Sequence, residues 1–476
     1  MKKRVSVVGI GKLGACMAAA IAARGHETIG VDVEMQTVEA LQQKRPPVFE
    51  PGLAELMAGS DGRLRGTRDH LQTIQQTDIT FVVVPTPSNP DGGFSLRFVC
   101  EAMEQIGQAL RHKSSYHLVV LTSTVLPGST DYVVRPLLEE ASGKQCGRDF
   151  GLCYSPEFIA LGSVIRDFLN PDFLLIGECE EAAGNDLAAF YRDSMGIEAP
   201  AARMSPVNAE LTKIALNSYV TTKITFANLL AEVCERLPGG DVDAVTSALG
   251  LDSRIGAKYL KGGLGYGGPC FPRDNHALAH FLDRIGVSAE LPRTVDKSNR
   301  NQPERVLNLV RRLIPDRCSK VAVFGLAFKA NTNVVEESQG IEIARGLAQS
   351  GYSVVVFDPV AMEAASKVLG SLVAYGGSVP ECLIGSAAVV VASDLPELVT
   401  IIRQLYECSA RPVLIDAWRV FRSKLRPDAL PYKAIGMGQA DGHAEGVLRQ
   451  FVQSLVHEKA LKATTALDTE EKAIRR

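Results

Sequence analysis

A chain of 476 residues is too long for one compact core, so two or three domains are expected. With 46% hydrophobic and 22% charged residues and a net charge of −3, it lacks the basic excess that binding nucleic acid or an anionic membrane would favour. Its ten cysteines include no CxxC pair, which argues against a metal site and makes reduced thiols in a cytosol the expected state.

Lys2, Lys3 and Arg4 precede an apolar stretch as in a signal peptide, but Val5–Ile10 is too short for one and runs into glycines, so it reads as a first strand. No run approaches the roughly 18 apolar residues of a membrane helix. Val5–Ile10, Thr28–Val33, Ile79–Val84, His117–Thr122 and Leu174–Ile176 have the continuous apolar character of buried parallel strands. Helical stretches between them, such as Leu13–Arg24 and Leu96–Arg111, complete βαβ units and define a first domain over 1–200.

From Val207 to Arg236 the pattern becomes one long helix, with Pro206 at its start. Leu211, Ile214, Ala215, Tyr219, Ile224, Ala227, Leu230 and Val233 recur at helical spacing, which suits a spine between domains or the face of a homodimer. A loop from Lys261 to Pro269, too rich in glycine for regular structure, completes a central region over 201–300. The βα alternation restarts at Val321–Phe324, Val354–Phe357, Ala388–Ala392 and Val413–Ile415, giving a further domain over 301–455. A charged, alanine-rich tail occupies 456–476. The expected class is α/β: two Rossmann-like, doubly wound parallel sheets joined by a long central helix, with no repeat that aligns residue by residue.

Gly9-Ile10-Gly11-Lys12-Leu13-Gly14 follows the first strand and opens the first helix. In such a turn the first glycine bends the chain, the second lets backbone approach a pyrophosphate, and the third packs helix on strand. A GxGxxG alone is a weak signal, but Asp32, near the end of the second strand, adds a carboxylate placed for an adenosine ribose. It would repel a 2′-phosphate, so NAD is expected over NADP. Thr86 and Thr124 follow the third and fourth strands of this reading, at the edge where open sheets bind ligands.

Gly265-Tyr266-Gly267-Gly268-Pro269-Cys270-Phe271-Pro272-Arg273-Asp274 is the most informative stretch. The glycines suit close approach to a ligand. A helix starting near Cys270 would favour its thiolate and put Asp274 one turn away on the same face. For the other nine cysteines a buried, inert role is the better reading.

With this stretch the sequence resembles the UDP-glucose/GDP-mannose dehydrogenase family, from Val5 to about Phe421. The Cys270 motif, Ser155-Pro156-Glu157-Phe158, Glu210–Asn217 and Gly325–Lys329 match family motifs in the family's order, and Cys270–Asp274 stands nearest the UDP-glucose branch. The resemblance implies NAD-dependent oxidation of a nucleotide-sugar C6 alcohol to the uronic acid, UDP-glucose to UDP-glucuronate being favoured over other UDP-, dTDP- or GDP-hexoses. It implies Cys270 as nucleophile, Lys213 and Asn217 as oxyanion partners, Asp274 as acid/base group, and Glu157 and Thr124 as aids to water attack. It places Gly9, Gly11, Lys12, Leu13, Gly14, Asp32, Thr86 and Thr124 at the cofactor. Around the nucleotide sugar it places Tyr259, Lys261, Gly265, Gly267, Phe271, Phe328, Lys329 and Trp418 with Glu157, Lys213 and Asn217, while Arg254 reaches in from a second subunit.

The chain departs from the family's pattern at four places. Leu161 stands where many relatives of the UDP-glucose branch carry a glutamate, and Phe173, Glu336 and Trp418 stand where arginines are usual. Two competing readings follow. A one-step hydroxyacid-type dehydrogenase would give Cys270 no role, and a degenerate sensor would bind the nucleotide sugar without turning it over.

Overall fold

A computed structural model describes residues 2–393, 411–423, 431–439 and 445–454, so Cys408 and the tail 456–476 lie outside the described residues. Two compact units emerge. The first comprises 1–219, 268–296 and 330–334; the second comprises 220–267, 297–329 and 335–476. Among the described residues no helix is long and apolar enough to cross a membrane.

The first unit is built on eight strands: β1 (Arg4–Val8), β2 (Glu27–Val31), β3 (Leu64–Thr67), β4 (Ile79–Val82), β5 (Leu118–Leu121), β6 (Gly151–Tyr154), β7 (Leu174–Glu178) and β8 (Ala201–Met204). Their order is β3-β2-β1-β4-β5-β6-β7-β8. All neighbours are parallel except β6 and β7, which run antiparallel. The stretch read as a parallel strand at Leu174–Ile176 is therefore antiparallel to β6 and parallel only to β8. The central strands β4, β5 and β6 are buried along their length, as continuous apolar strands covered on both faces should be.

The second unit carries β9 (Lys320–Phe324), β10 (Ser353–Phe357), β11 (Ala374–Tyr375), β12 (Ser386–Val391), β13 (Val413–Asp416) and β14 (Tyr432–Ala434). They form an all-parallel sheet in the order β11-β10-β9-β12-β13-β14. This is the doubly wound 3-2-1-4-5-6 order, and the first six strands of the first unit share it.

The two units also share a corner that sequence spacing hides. Gly9 and Gly325 follow their first strands with φ near +93° and +94°, a conformation that favours glycine. Each donates its N–H to the end of the next strand, Gly9 to Val31 and Gly325 to Phe357. Asp32 accepts the Ile10 N–H at 2.7 Å, and Asp358 accepts that of Leu326 at 2.8 Å. Gly14 and Gly340 pack so closely that an added Cβ would sit 1.8 Å and 1.9 Å from the Gly9 and Gly325 carbonyl oxygens. The two halves thus align residue by residue at this corner, contrary to the sequence reading; a much longer loop before the helix disguises it in the second unit.

The long helix runs from Pro206 to Arg236. Its apolar positions are not all buried. Ile214 and Ala227 are buried, whereas Leu211, Ala215, Tyr219 and Val233 are exposed, as are Phe226 and Leu229 on the same helix. The buried line also takes in polar residues, namely Lys213, Asn217, Thr221 and Asn228.

Candidate active site

The cofactor corner fits a dinucleotide on its own geometry. A Cβ on Gly9 would meet the Val83 carbonyl oxygen at 2.5 Å, so Gly9 and Gly14 are required by packing. A Cβ on Gly11 would meet nothing within 4 Å, so the space beside it belongs to no protein atom. The helix Lys12–Ala23 that begins there has no side-chain cap, which leaves its first N–H groups and positive dipole end available to a phosphate. In the second unit the equivalent helix, Gln339–Gln349, is capped by Ser338. Of the two similar corners, the first is the one built open.

A cavity of about 470 Å³ continues from Gly9 and Gly11 past Asp32, Glu34 and His70 to Phe98. Asp32 is held by the N–H groups of Ile10 and Glu34, the latter at 2.9 Å. Two carboxylates at this end oppose a 2′-phosphate. Lys12 donates to the Asn333 side chain at 3.3 Å, and burial lowers its pKa. Leu13 packs against the core beneath the turn. Glu336, which stands where the family usually has an arginine, is exposed.

The first unit also gathers most of the expected chemistry. The helix Phe271–Arg284 starts with Cys270 as its N-cap residue, and the Asp274 N–H bonds to the Cys270 carbonyl at 2.8 Å. Cys270 is exposed and in no disulfide, whereas Asp274 is buried. Asn217, on the long helix, donates its side-chain amide to Asp274 Oδ2 at 2.6 Å. One turn earlier, the buried Lys213 ammonium donates to the Glu157 carbonyl oxygen at 2.6 Å and lies 4.7 Å from the centre of the Phe158 ring. Burial lowers the Lys213 pKa, while the charges of Asp274, Cys270 and Glu157 oppose the shift. Burial pushes the Glu157 carboxyl up to about 7, against the pull of Lys213.

Thr86 and Thr124 are brought together, since the Thr86 hydroxyl donates to the Thr124 carbonyl at 2.8 Å. Arg273, given no role from sequence, connects them to the cluster. It donates to the Thr86 carbonyl at 3.3 Å, stacks 4.6 Å over the Phe94 ring and faces Asp274. Glu210 was also missed: buried, it accepts the Gly128 and Thr130 N–H groups at 2.6 and 2.7 Å, tying the loop after Thr124 to the long helix. Two departures from the family pattern become intelligible here. Phe173 packs on Phe158 with ring centres 4.9 Å apart, behind the ring that Lys213 overlies, and Leu161 packs against the core.

The remaining candidates, Phe271 excepted, lie in the second unit. Tyr259, Lys261 and Trp418 line a cavity of about 590 Å³. The Lys261 ammonium stands 5.9 Å from the Trp418 ring, whose Nε1–H is fixed on the Ala392 carbonyl at 2.9 Å. Tyr259 has φ +65°, a strained value for a non-glycine residue. Phe328 and Lys329 follow the Gly325 turn, and the Phe328 Cβ would lie 3.2 Å from a Cβ on Gly267. Arg254, highly exposed, pairs with Asp252 at 2.6 Å. Among the described residues no group of three or more His, Cys, Asp or Glu is arranged to hold a metal.

Three stretches match the UDP-glucose/GDP-mannose dehydrogenase family: residues 3–195 its NAD binding domain, 207–301 its central domain and 322–423 its UDP binding domain. The UDP-glucose 6-dehydrogenase of Haloferax volcanii is 35% identical over 434 residues, covering 90% of this chain and 99% of that protein. The GDP-mannose 6-dehydrogenase of Azotobacter vinelandii is 36% identical over 359 residues, covering 75% and 81%. Among solved structures, a UDP-glucose dehydrogenase from Pyrobaculum islandicum aligns with a TM-score of 0.82 at 36% identity, over 92% of this chain and 97% of that one.

Proposed function

This chain belongs to the UDP-glucose/GDP-mannose dehydrogenase family, and from that premise we propose that it oxidises a nucleotide sugar, UDP-glucose first among the choices, to its uronic acid through a thioester on Cys270. The observation that carries the reading is the meeting of Lys213, Asn217 and Asp274 at the start of the helix that Cys270 caps. UDP-glucose is favoured because the Haloferax relative aligns over more of the chain than the GDP-mannose enzyme does.

The Gly9–Gly14 turn and Asp32 would hold NAD, which would supply the hydride acceptor for each oxidation. In the first, the C6 hydroxyl proton passes to the Asp274–Lys213 pair as the carbon loses hydride. Cys270 Sγ then bonds to the aldehyde carbon, which keeps a reactive carbonyl from escaping. Lys213 faces the resulting oxyanion, where a buried cation is worth most because little water competes. The thiohemiacetal loses a second hydride and its hydroxyl proton to give the thioester. Water held by Glu157 and Thr124 adds to that carbonyl, the C–S bond breaks, the thiol regains a proton and the acid departs. Asn217 holds the Asp274 carboxylate in place throughout.

The test is stoichiometry across a panel of UDP-, dTDP- and GDP-sugars. Two NADH should form per sugar consumed, with the uronic acid as product and UDP-glucose the best substrate. One NADH per sugar with aldehyde released would overturn the thioester, and a GDP-sugar turned over fastest would overturn the choice of base.

Trp418 contributes to binding alone on this reading, offering a flat, fixed face to base or ribose. Trp418→Ala should raise the sugar KM about 3- to 10-fold, the equivalent of the roughly 0.5–1.5 kcal/mol of an aromatic stack, and leave kcat near parental. Steady-state kinetics that instead showed kcat collapsing at constant KM would remove Trp418 from the nucleotide subsite.

A further inference from the structure

The glycine-rich loop is built differently from the open Gly11 corner. A Cβ on Gly263 would stand 2.8 Å from the Trp418 ring; on Gly265 it would stand 2.3 Å from Asn299 Oδ1 and 2.8 Å from Gln339 Oε1; on Gly267 it would stand 2.3 Å from the Glu337 carbonyl oxygen. Glycine is required at these positions because protein groups press directly on the backbone. The sequence reading had assigned that closeness to a ligand.

Side chains around the loop supply the hydrogen bonds that a strand partner would otherwise provide. Asn228, buried on the long helix, accepts the Gly263 N–H at 2.8 Å and donates to the Leu264 carbonyl at 3.1 Å. Asn299, also buried, does the same at one residue, accepting from the Tyr266 N–H at 2.8 Å and donating to its carbonyl at 2.9 Å. Gln339 accepts the Gly265 N–H at 3.2 Å. Arg419, buried and paired with Asp243 at 2.7 Å, donates to the Gly262 carbonyl at 2.6 Å. Four consecutive N–H groups from Gly263 to Tyr266 include three taken by side-chain carboxamides, and both clamping asparagines use donor and acceptor together.

We propose that Asn228 and Asn299 are positioning residues for the reaction, two carboxamide clamps that hold the loop in the single path from which the chain enters Cys270. The proposal rests on the reading of Cys270 as nucleophile. The clamps grip the backbone beside the buried Leu264 and Tyr266, so they set the path of the loop that runs on into Cys270. Neither asparagine is needed for the NAD corner, so their loss should separate cofactor binding from turnover.

Asn228→Ala and Asn299→Ala test this, with melting temperature, NAD affinity, steady-state kinetics and the rate of tryptic cleavage after Lys261 measured on each. The expected result is a folded protein with parental NAD affinity, faster cleavage at Lys261 and a kcat lower on the order of 10²-fold, the scale of loss when a reacting group is displaced by about 1 Å. If an alanine variant does not fold, Asn228→Asp keeps the acceptor for the Gly263 N–H and turns the donor to Leu264 into a carboxylate oxygen that repels that carbonyl, and it should likewise speed cleavage at Lys261 and lower kcat. Folded variants with parental kcat and parental cleavage would overturn the proposal, as would a defect confined to NAD affinity. Cys270→Ala, assayed alongside, separates the failures. If that variant still forms acid, the thioester reading falls, and the clamps then stand or fall by cleavage at Lys261 and by kcat.

Discussion

An enzyme with alanine at position 270 is expected to bind NAD and nucleotide sugar with near-parental affinity and to form acid at least about 10⁴-fold more slowly, the scale seen when a covalent nucleophile is removed. Magnitudes decide which feature of Cys270 matters. Its place at the N-cap of Phe271–Arg284 gives it the helix dipole, but a dipole contributes only about 0.3–1 kcal/mol at an exposed site, less than one decade in rate. The larger loss must come from the missing C–S bond, without which the aldehyde has no tether and the second oxidation no tetrahedral substrate. Affinity should survive, since the thiol is exposed and its removal opens no cavity in the core. Binding by calorimetry and acid by mass spectrometry check both halves. Acid formation near the parental rate would mean another group is the nucleophile.

Much of this was legible in the sequence because it depends on local chemistry. The Gly9–Gly14 turn, Asp32 and the helix start at Cys270 are set by residues close together in the chain, and each is found in its expected local setting. Edge strands were not legible. Leu64–Thr67, Ala201–Met204 and Tyr432–Ala434 are only partly covered, so they carry no continuous apolar run. The long helix was legible in its extent, but periodicity finds a stripe without saying what it meets, and half of this one is exposed. The clamps at Asn228 and Asn299 had one available signal, a carboxamide at the spacing of buried positions on a helix, but their partners are backbone groups that no side-chain pattern encodes.

Replacing Lys213 with methionine should lower kcat on the order of 10²- to 10³-fold with a much smaller effect on NAD binding, the loss typical of removing one oxyanion partner. Methionine keeps most of the apolar stem and loses the ammonium that stands 4.7 Å from the centre of the Phe158 ring, so the change removes charge and hydrogen bond more than side-chain volume. The buried ammonium bonds to the Glu157 backbone and faces the charges of Asp274, Cys270 and Glu157, so it is oriented before substrate arrives. A structural role alone would also predict some loss of rate, so the pH profile is the sharper measure. Burial holds the Glu157 carboxyl up near 7, and the Lys213 charge pulls it down from a still higher value. If the ionised carboxylate prepares water for attack on the thioester, the rate of thioester hydrolysis rises with pH through that region. Without the cation the carboxyl becomes harder to ionise, so the acid limb of the profile should move to higher pH in Lys213→Met. Single-turnover hydrolysis measured across pH reads this directly. A limb that stays in place or moves to lower pH would show that Lys213 does not act on Glu157 and would take the carboxylate out of the hydrolytic step.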